Sequence, residues 1–419
     1  MGIKTLKNGL RYFVNKSKSH SSATIFFMVN VGSINEKKGE YGLAHFLEHM
    51  LFKGTKRRLT SKNVTNNIYK IGAETNAFTS FGITAYYINV SHDYVEDVLD
   101  ILSDMLYNST FVDLKKERDV VISENKKSSS SLQAKLALKI NNMIYKGTPY
   151  GRCVGGNNSL IKKFTKKMTI DFYKRFYFPK NIVVSISGRV PKNINNLVKR
   201  YFDKTKLKNK KVDMVRIKDF MDMQKKMRFH SMVDKNMKQE QVILGFPSYK
   251  YHDRKSYILQ LISVVLGGNM SSRLFVKLRE EMGLVYTVSA DVDTNIDCGD
   301  FTISFGTFLG KGRIATDVVI KELLKIRKEG ITKKELEQSV SYICGMIDLS
   351  EDSNNSNALS NGLNILKIGK IITTENEKKI YRSIKLEEIN TVAKEIIKYN
   401  KLNLCILSNK KHKNYIKEF

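Results

Sequence analysis

The stretch TIDFYKRFYFPKNIVVSISG, residues 169–188, has a counterpart about 220 residues later in EINTVAKEIIKYNKLNLCILSN. Each reads as an amphipathic helix, a short polar turn and a buried apolar strand. A chain that repeats one supersecondary unit at that distance folds as two similar halves. The 419 residues also suit two domains better than one, and the 42% hydrophobic content supplies two cores.

Between the repeats, strand-like and helix-like segments follow one another without regular βαβ alternation. In the first half ATIFFMVNVGS (23–33) is β-rich, EYGLAHFLEHMLFKG (40–54) has helical periodicity, and NAFTSFGITAYYINVS (76–91) is β-branched and aromatic. Helical patterns follow at 93–106 and at about 113–127. In the second half QVILGFP, LVYTVSADV and CGDFTISFGTF read as strands and YILQLISVVLGG as a helix. The expected class is α+β: two similar domains, each a mostly antiparallel sheet with helices on one face. The lysine-rich, weakly periodic segment 206–225 is the expected basic linker. It divides a first domain, 1–205, from a second, 226–419.

EYGLAHFLEHMLFKG carries the chemistry. At about 100° per residue, Glu48 lies roughly 60° to one side of His45 and His49 roughly 40° to the other. Leu43, Phe46, Leu47, Met50 and Leu51 take the opposite face. Such a helix docks by its apolar side and presents two imidazoles and a carboxylate together. Imidazoles at i and i+4 reach one metal ion, and a carboxylate between them reaches a metal-bound water. A catalytic zinc needs a third protein ligand. His20, His92, His230, His252 and His412 stand in ordinary polar stretches, which directs attention to carboxylates. LKKERDVVISENKK offers Glu117 and Glu124, nearly two turns apart on one helix face with Val120 and Val121. The same stretch also reads as an amphipathic surface helix with salt bridges.

These residues resemble the pitrilysin/insulinase family of zinc metallopeptidases, of the half-size type typified by the processing-peptidase catalytic subunit and its bacterial relatives. The resemblance covers nearly the whole chain. It rests on GLAHFLEHMLFKGT, ERDVVISE, IGAETNAFTSFGITAYYINV, PYGRCVGGNNSLIKKFT and SSRLFVKLREEMGLVYTVSA. It implies one Zn2+ per chain held by His45, His49 and Glu124, with Glu48 as the base and Glu117 as a supporting glutamate. It implies substrate backbone contacts at Asn76 and Ala77, and Arg279 and Tyr286 from the second domain in the active site. Cys153 stands where proline is common in the family. The implied activity is endopeptidase cleavage of unfolded or small peptides, by a chain that pairs with a second copy or a related subunit.

Two other readings are compatible with the fold: a non-catalytic partner subunit, and a basic nucleic-acid-associated protein. The formal net charge of +31 raises the second. The basic residues are spread along the whole chain, however, with no nucleic-acid-binding signature. The same charge is a poor match for removing basic presequences. Cys153, Cys298, Cys344 and Cys405 are far apart with no CxxC, which fits a reducing compartment. The opening MGIKTLKNGLRYFVNKS has no apolar core of a signal peptide, and no stretch is long enough to span a bilayer. The expectation is a cytoplasmic protein with no membrane partner.

Overall fold

A computed structural model describes residues 2–203 and 207–416. The expected boundary at 205/206 therefore lies outside the described residues. The chain forms two compact units that interleave along the sequence. The first comprises 1–126, 152–215 and 348–373; the second comprises 127–151, 216–347 and 374–419.

In the first unit six strands form a sheet in the order β1-β2-β6-β3-β5-β4. They are β1 (Lys4–Thr5), β2 (Arg11–Lys16), β3 (Ser22–Val29), β4 (Glu74–Thr79), β5 (Thr84–Ser91) and β6 (Ile182–Gly188). All neighbours are antiparallel except β2 and β6. The single β-rich run expected over 76–91 is a hairpin of β4 and β5. In the second unit β7 (Arg228–Val233), β8 (Gln239–Ser248), β9 (Val285–Thr294), β10 (Gly299–Phe308) and β11 (Asn403–Ser408) order as β7-β11-β8-β10-β9. Again one pair, β7 and β11, is parallel. Taken in chain order, β2 to β6 match β7 to β11 strand for strand. The echo in the sequence is the helix before β6 and the helix before β11, Lys166–Phe176 and Leu386–Ile396.

The expectation of helices on one face needs correction. The strand β3, SATIFFMV, is buried along almost its whole length. Ile25, Phe27 and Val29 enter one core, with Leu43, Phe46, Leu47 and the helix Val95–Asn108. Phe26 and Met28 enter a second core on the opposite face, with Ala358, Ile365 and Leu366 of the helix Asn354–Ile368. A strand covered on both sides has no reason to alternate, which is why its sequence is a continuous apolar run. Gly362 makes the close approach possible: a Cβ there would stand 2.2 Å from the Met28 sulfur. Arg11 donates to the Ile365 carbonyl at 2.9 Å and Asn354 to the Ser22 carbonyl at 3.1 Å.

The second unit takes its outer helix from the first half of the chain in the same way. The helix Leu132–Ile144 lies on β8 and β11, and a Cβ on Gly245 would meet the Ile144 side chain at 2.6 Å. Residues 207–215 and 216–225 are likewise docked: Leu207 and Val212 pack on the first core and Phe220 is buried against Tyr145. Their apolar side chains, sparse among lysines, are what tie the expected linker down.

Asp300 shows a cost inside the second unit. It faces Asp293 across β10 and β9, and the Tyr145 hydroxyl donates to it at 2.6 Å. Burial first, then Asp293 and Asp291, push its carboxyl up to about 7 despite that hydrogen bond. The folded protein therefore keeps a proton between the unfolded value of 3.8 and about 7, and stability falls as pH rises through that window. Asp300→Asn keeps an acceptor for Tyr145 and removes the titration. It is expected to flatten the pH dependence of the thermal midpoint from pH 4 to 7 and to stabilise by about 1–3 kcal/mol above pH 7. Thermal melts of both proteins across that range check it.

No helix among the described residues is long and apolar enough to cross a membrane.

Candidate metal centre

The helix α1 (Leu43–Leu51) buries Leu43, Ala44, Phe46, Leu47, Met50 and Leu51 in the first core. Each larger apolar side chain contributes about 1.5–3 kcal/mol of transfer free energy. Nine residues of intrinsic helix propensity could not hold the helix in place alone. Anchored this way, α1 fixes His45, Glu48 and His49 on the side facing β4 and the helix Leu114–Ser130. That side is only partly solvated: Glu48 is 7% exposed and the His49 side chain 20%.

One ligand atom each from His45, His49 and Glu124 lies within 4.8 Å of the others. The imidazoles meet edge to face, centroids 4.8 Å apart. The Nε2 of His49 is 3.3 Å from Glu124, while its Nδ1 is 2.8 Å from Oε1 of Glu117. The other oxygen of Glu117 takes Lys53 Nζ at 2.6 Å. Glu117 thus fixes the ring through its Nδ1 and turns the Nε2 toward Glu124. Both Glu117 and Val121 are buried, whereas Val120 is 44% exposed. Val120 and Val121 flank Glu124 on this face as expected, and the face runs from the core at Glu117 and Val121 to solvent at Val120 and Glu124, whose side chain is 47% exposed.

Charge follows from burial. Burial, then the neighbouring His49, pushes His45 down to about 4, so it is neutral and able to ligate. In His49 burial opposes protonation, but the Glu117 hydrogen bond and the charges of Glu48, Glu117 and Glu124 outweigh it and raise the ring. Burial also works against charge on Glu117, and His49 and Lys53 overcome it, holding the carboxyl low. Burial pushes Glu48 up to about 7, opposed by the 2.6 Å hydrogen bond that Thr79 Oγ1 of β4 donates to its Oε2.

Two nitrogens and a carboxylate oxygen are a zinc donor set. Among the described residues the His45 Nδ1 is buried without a hydrogen-bond partner, a polar atom left over beside the other candidate ligands. The residues present fit a zinc ion.

The other expected site residues divide between the units. Asn76 and Ala77 lie on β4, the edge strand of the first sheet; Asn76 is exposed and its side chain accepts the Ala77 amide at 2.8 Å. Arg279 and Tyr286 belong to the second unit, where the Arg279 guanidinium stands over the Tyr286 ring at 5.4 Å and over Phe275 at 4.8 Å. Tyr286 is 75% exposed, so it is not a packed strand residue. Sequence reasoning missed Thr79 and Lys53. The spacing 45, 49, 53 marks Lys53 as a neighbour on the same helical face. Thr79 stands two residues past Ala77, on the same side of β4.

Residues 12–157 match the family described as Insulinase (Peptidase family M16), and residues 163–342 match Peptidase M16 inactive domain. The uncharacterized zinc protease YmxG of Bacillus subtilis is 30% identical over 397 residues, with 94% of each chain covered. The chain belongs to the M16 insulinase family of peptidases. Solved structures share the M16 fold over its length. A protease from Helicobacter pylori superposes with a TM-score of 0.89 at 24% identity, covering 97% of this chain and 99% of that one. A Pseudomonas fluorescens protein described as a peptidase M16 inactive domain superposes at 0.87 with 15% identity, covering 99% of both. The repeated sheet of this M16 chain is therefore the family's two-domain architecture, and the His45, His49 and Glu124 cluster, which could hold a metal, lies in the half that matches the insulinase domain.

Proposed function

We propose that this M16 chain is a zinc metalloendopeptidase that hydrolyses peptide bonds in unfolded or small peptide substrates. The observation that carries the reading is the convergence of His45, His49 and Glu124 within 4.8 Å, with Glu48 buried beside them. Zinc held by those three side chains would polarise a peptide carbonyl and acidify a water. Glu48 takes the proton from the attacking water and returns it to the leaving amine. Its Oε2 is tied to Thr79, which leaves Oε1 for that transfer. A carboxyl poised near 7 by burial is matched to carrying a proton in both directions.

Among the described residues β4 has β5 as its strand partner on one side and none on the other, so an extended peptide can add there by backbone hydrogen bonds, beside Asn76 and Ala77. Such binding reads backbone more than side chains and selects unfolded segments. Arg279 and Tyr286, exposed and stacked on one another, are the donors we assign to the developing oxyanion. The half-size family type carries with it a partner of the same fold, a second copy or a related subunit. All four cysteines are free thiols, which suits the cytoplasm.

A non-catalytic subunit is the second reading, since a structural neighbour is described as an inactive domain. Against it, this chain carries every residue the catalytic reading needs: His45, His49, Glu124 and Glu48. Elemental analysis of the purified protein is expected to give one zinc per chain, and digestion of a denatured-protein peptide library to give internal cleavages. Zinc without cleavage would leave the subunit reading standing, and neither zinc nor cleavage would end the metallopeptidase proposal.

A further inference from the structure

The two imidazoles on α1 are held in different ways. His49 is oriented by a side chain, Glu117. His45 has no such partner among the described residues: its Nδ1 is buried and makes no hydrogen bond to them. Beyond its edge contact with His49, the place of the His45 ring follows the backbone of the first turn of α1.

That turn has no cap of its own. Its N-cap is Gly42, in the left-handed region at φ 101°, with no side chain to offer, and the first turn contains no acidic residue. The leading amides of a helix need acceptors. They find them in Glu36, six residues before the cap. Oε2 of Glu36 accepts the Gly42 amide at 3.0 Å and Oε1 accepts the Ala44 amide at 2.9 Å. Glu36 is 5% exposed. Its carboxylate sits at the positive end of the helix, where negative charge is favoured. Burial pushes the carboxyl up to about 8, opposed by the Ala44 and Gly42 amides and by Arg152. Both amides bond best to the ionised form, so they resist the protonation that burial favours.

The segment that carries Glu36 is itself fixed. Arg152 donates to the carbonyls of Ser33 and Ile34 at 3.1 and 3.3 Å and stands over the Tyr41 ring at 4.5 Å. Behind Gly42 there is no slack either, since a Cβ on Gly156 would lie 2.2 Å from the Gly42 Cα. Ala44 is the residue immediately before His45, so a shift of its amide moves the imidazole directly.

We propose that Glu36 is the positioning residue for His45, holding the first turn of α1 so that the imidazole faces His49 and Glu124. The inference rests on the zinc reading above and adds a residue to it. Glu36 touches neither substrate nor metal; it acts through Ala44 and Gly42.

A buried cap also contributes stability, so the test separates the two roles. Glu36→Gln keeps size but puts an NH2 group against one of the two amides. Thr60→Ala removes an ordinary cap elsewhere in the same unit, where the Thr60 hydroxyl accepts the Asn63 amide at 3.1 Å. Each variant is compared with wild type for thermal midpoint, zinc affinity by chelator competition, and kcat and KM per zinc-loaded chain. All measurements are made well below unfolding. Glu36→Gln is expected to weaken zinc binding about 10–100-fold, the usual effect of losing an outer-shell support. It should lower kcat per zinc-loaded chain with KM changed less than about twofold, because β4 is untouched, and hydrogen exchange at Ala44–Phe46 should quicken. Thr60→Ala should lower the midpoint alone. Should Glu36→Gln fail to fold, Glu36→Asp, which keeps a carboxyl but falls one methylene short, is expected to show the same zinc loss in smaller measure. Wild-type zinc affinity in a folded Glu36 variant would overturn the positioning role and leave the metallopeptidase reading intact. A wild-type protein that binds no zinc would overturn both.

Discussion

Glu48→Gln is expected to keep zinc and fold while losing about 10²–10⁴-fold in peptide hydrolysis, the usual worth of a positioned general base. The structure gives three reasons to expect so clean a separation. The Glu48 carboxylate is not among the three groups that converge as ligands, so the metal has no reason to leave. Thr79 donates to Glu48, and a glutamine carbonyl accepts the same hydroxyl, so the side chain stays in place. Burial already disfavours charge on Glu48, so the neutral amide adds no desolvation cost and the thermal midpoint should hold or rise. What the variant lacks is only an oxygen able to take and return a proton. Zinc content by elemental analysis, a thermal melt and initial rates on one quenched peptide measure all three. Turnover within about tenfold of wild type would remove Glu48 from the role of base.

Local periodicity made the core of this site legible in sequence. His45, Glu48 and His49 share a face because a helix turns 100° per residue, and the apolar face opposite them forecasts the docking that the first core shows. The paired sheets were legible in the same way, through the helix–turn–strand echo that ends in β6 and β11. What stayed hidden depends on distance. Nothing near Gly362 announces that it must lie against Met28, so the exchange of helices between the halves of the chain leaves no local mark. Glu36 is the sharpest case. It reads as one more acid in a polar turn, and its meaning comes from two amides brought to it by the fold. Thr79 and Lys53 are intermediate: each has the right spacing from a named residue, but only the packing shows which carboxylate it serves.

The two glutamates of the helix Leu114–Ser130 should trade opposite effects. Glu124 is 47% exposed at its side chain, and its one ion pair is to His49 at 3.3 Å. Removing its charge costs the metal-free fold almost nothing, because exposed pairs of this kind contribute little. It does remove one of three ligand atoms. Glu124→Gln is therefore expected to leave the metal-free thermal midpoint within about 1 °C, taken as the scale of a small surface effect. It should abolish zinc retention through dialysis. Glu117 is the reverse: 2% exposed, it satisfies both His49 and the ammonium of Lys53, itself 22% exposed. Glu117→Gln leaves that lysine without its counter-charge and is expected to cost about 1–3 kcal/mol of stability. Zinc binding should weaken by about 10–100-fold rather than vanish, because the amide still holds the imidazole in place. Metal-free melts and chelator-competition titrations on the two variants form a crossed comparison. If Glu124→Gln retains zinc as tightly as Glu117→Gln, Glu124 is not a ligand; if Glu117→Gln is as stable as wild type, the triad of His49, Glu117 and Lys53 does not hold the ring.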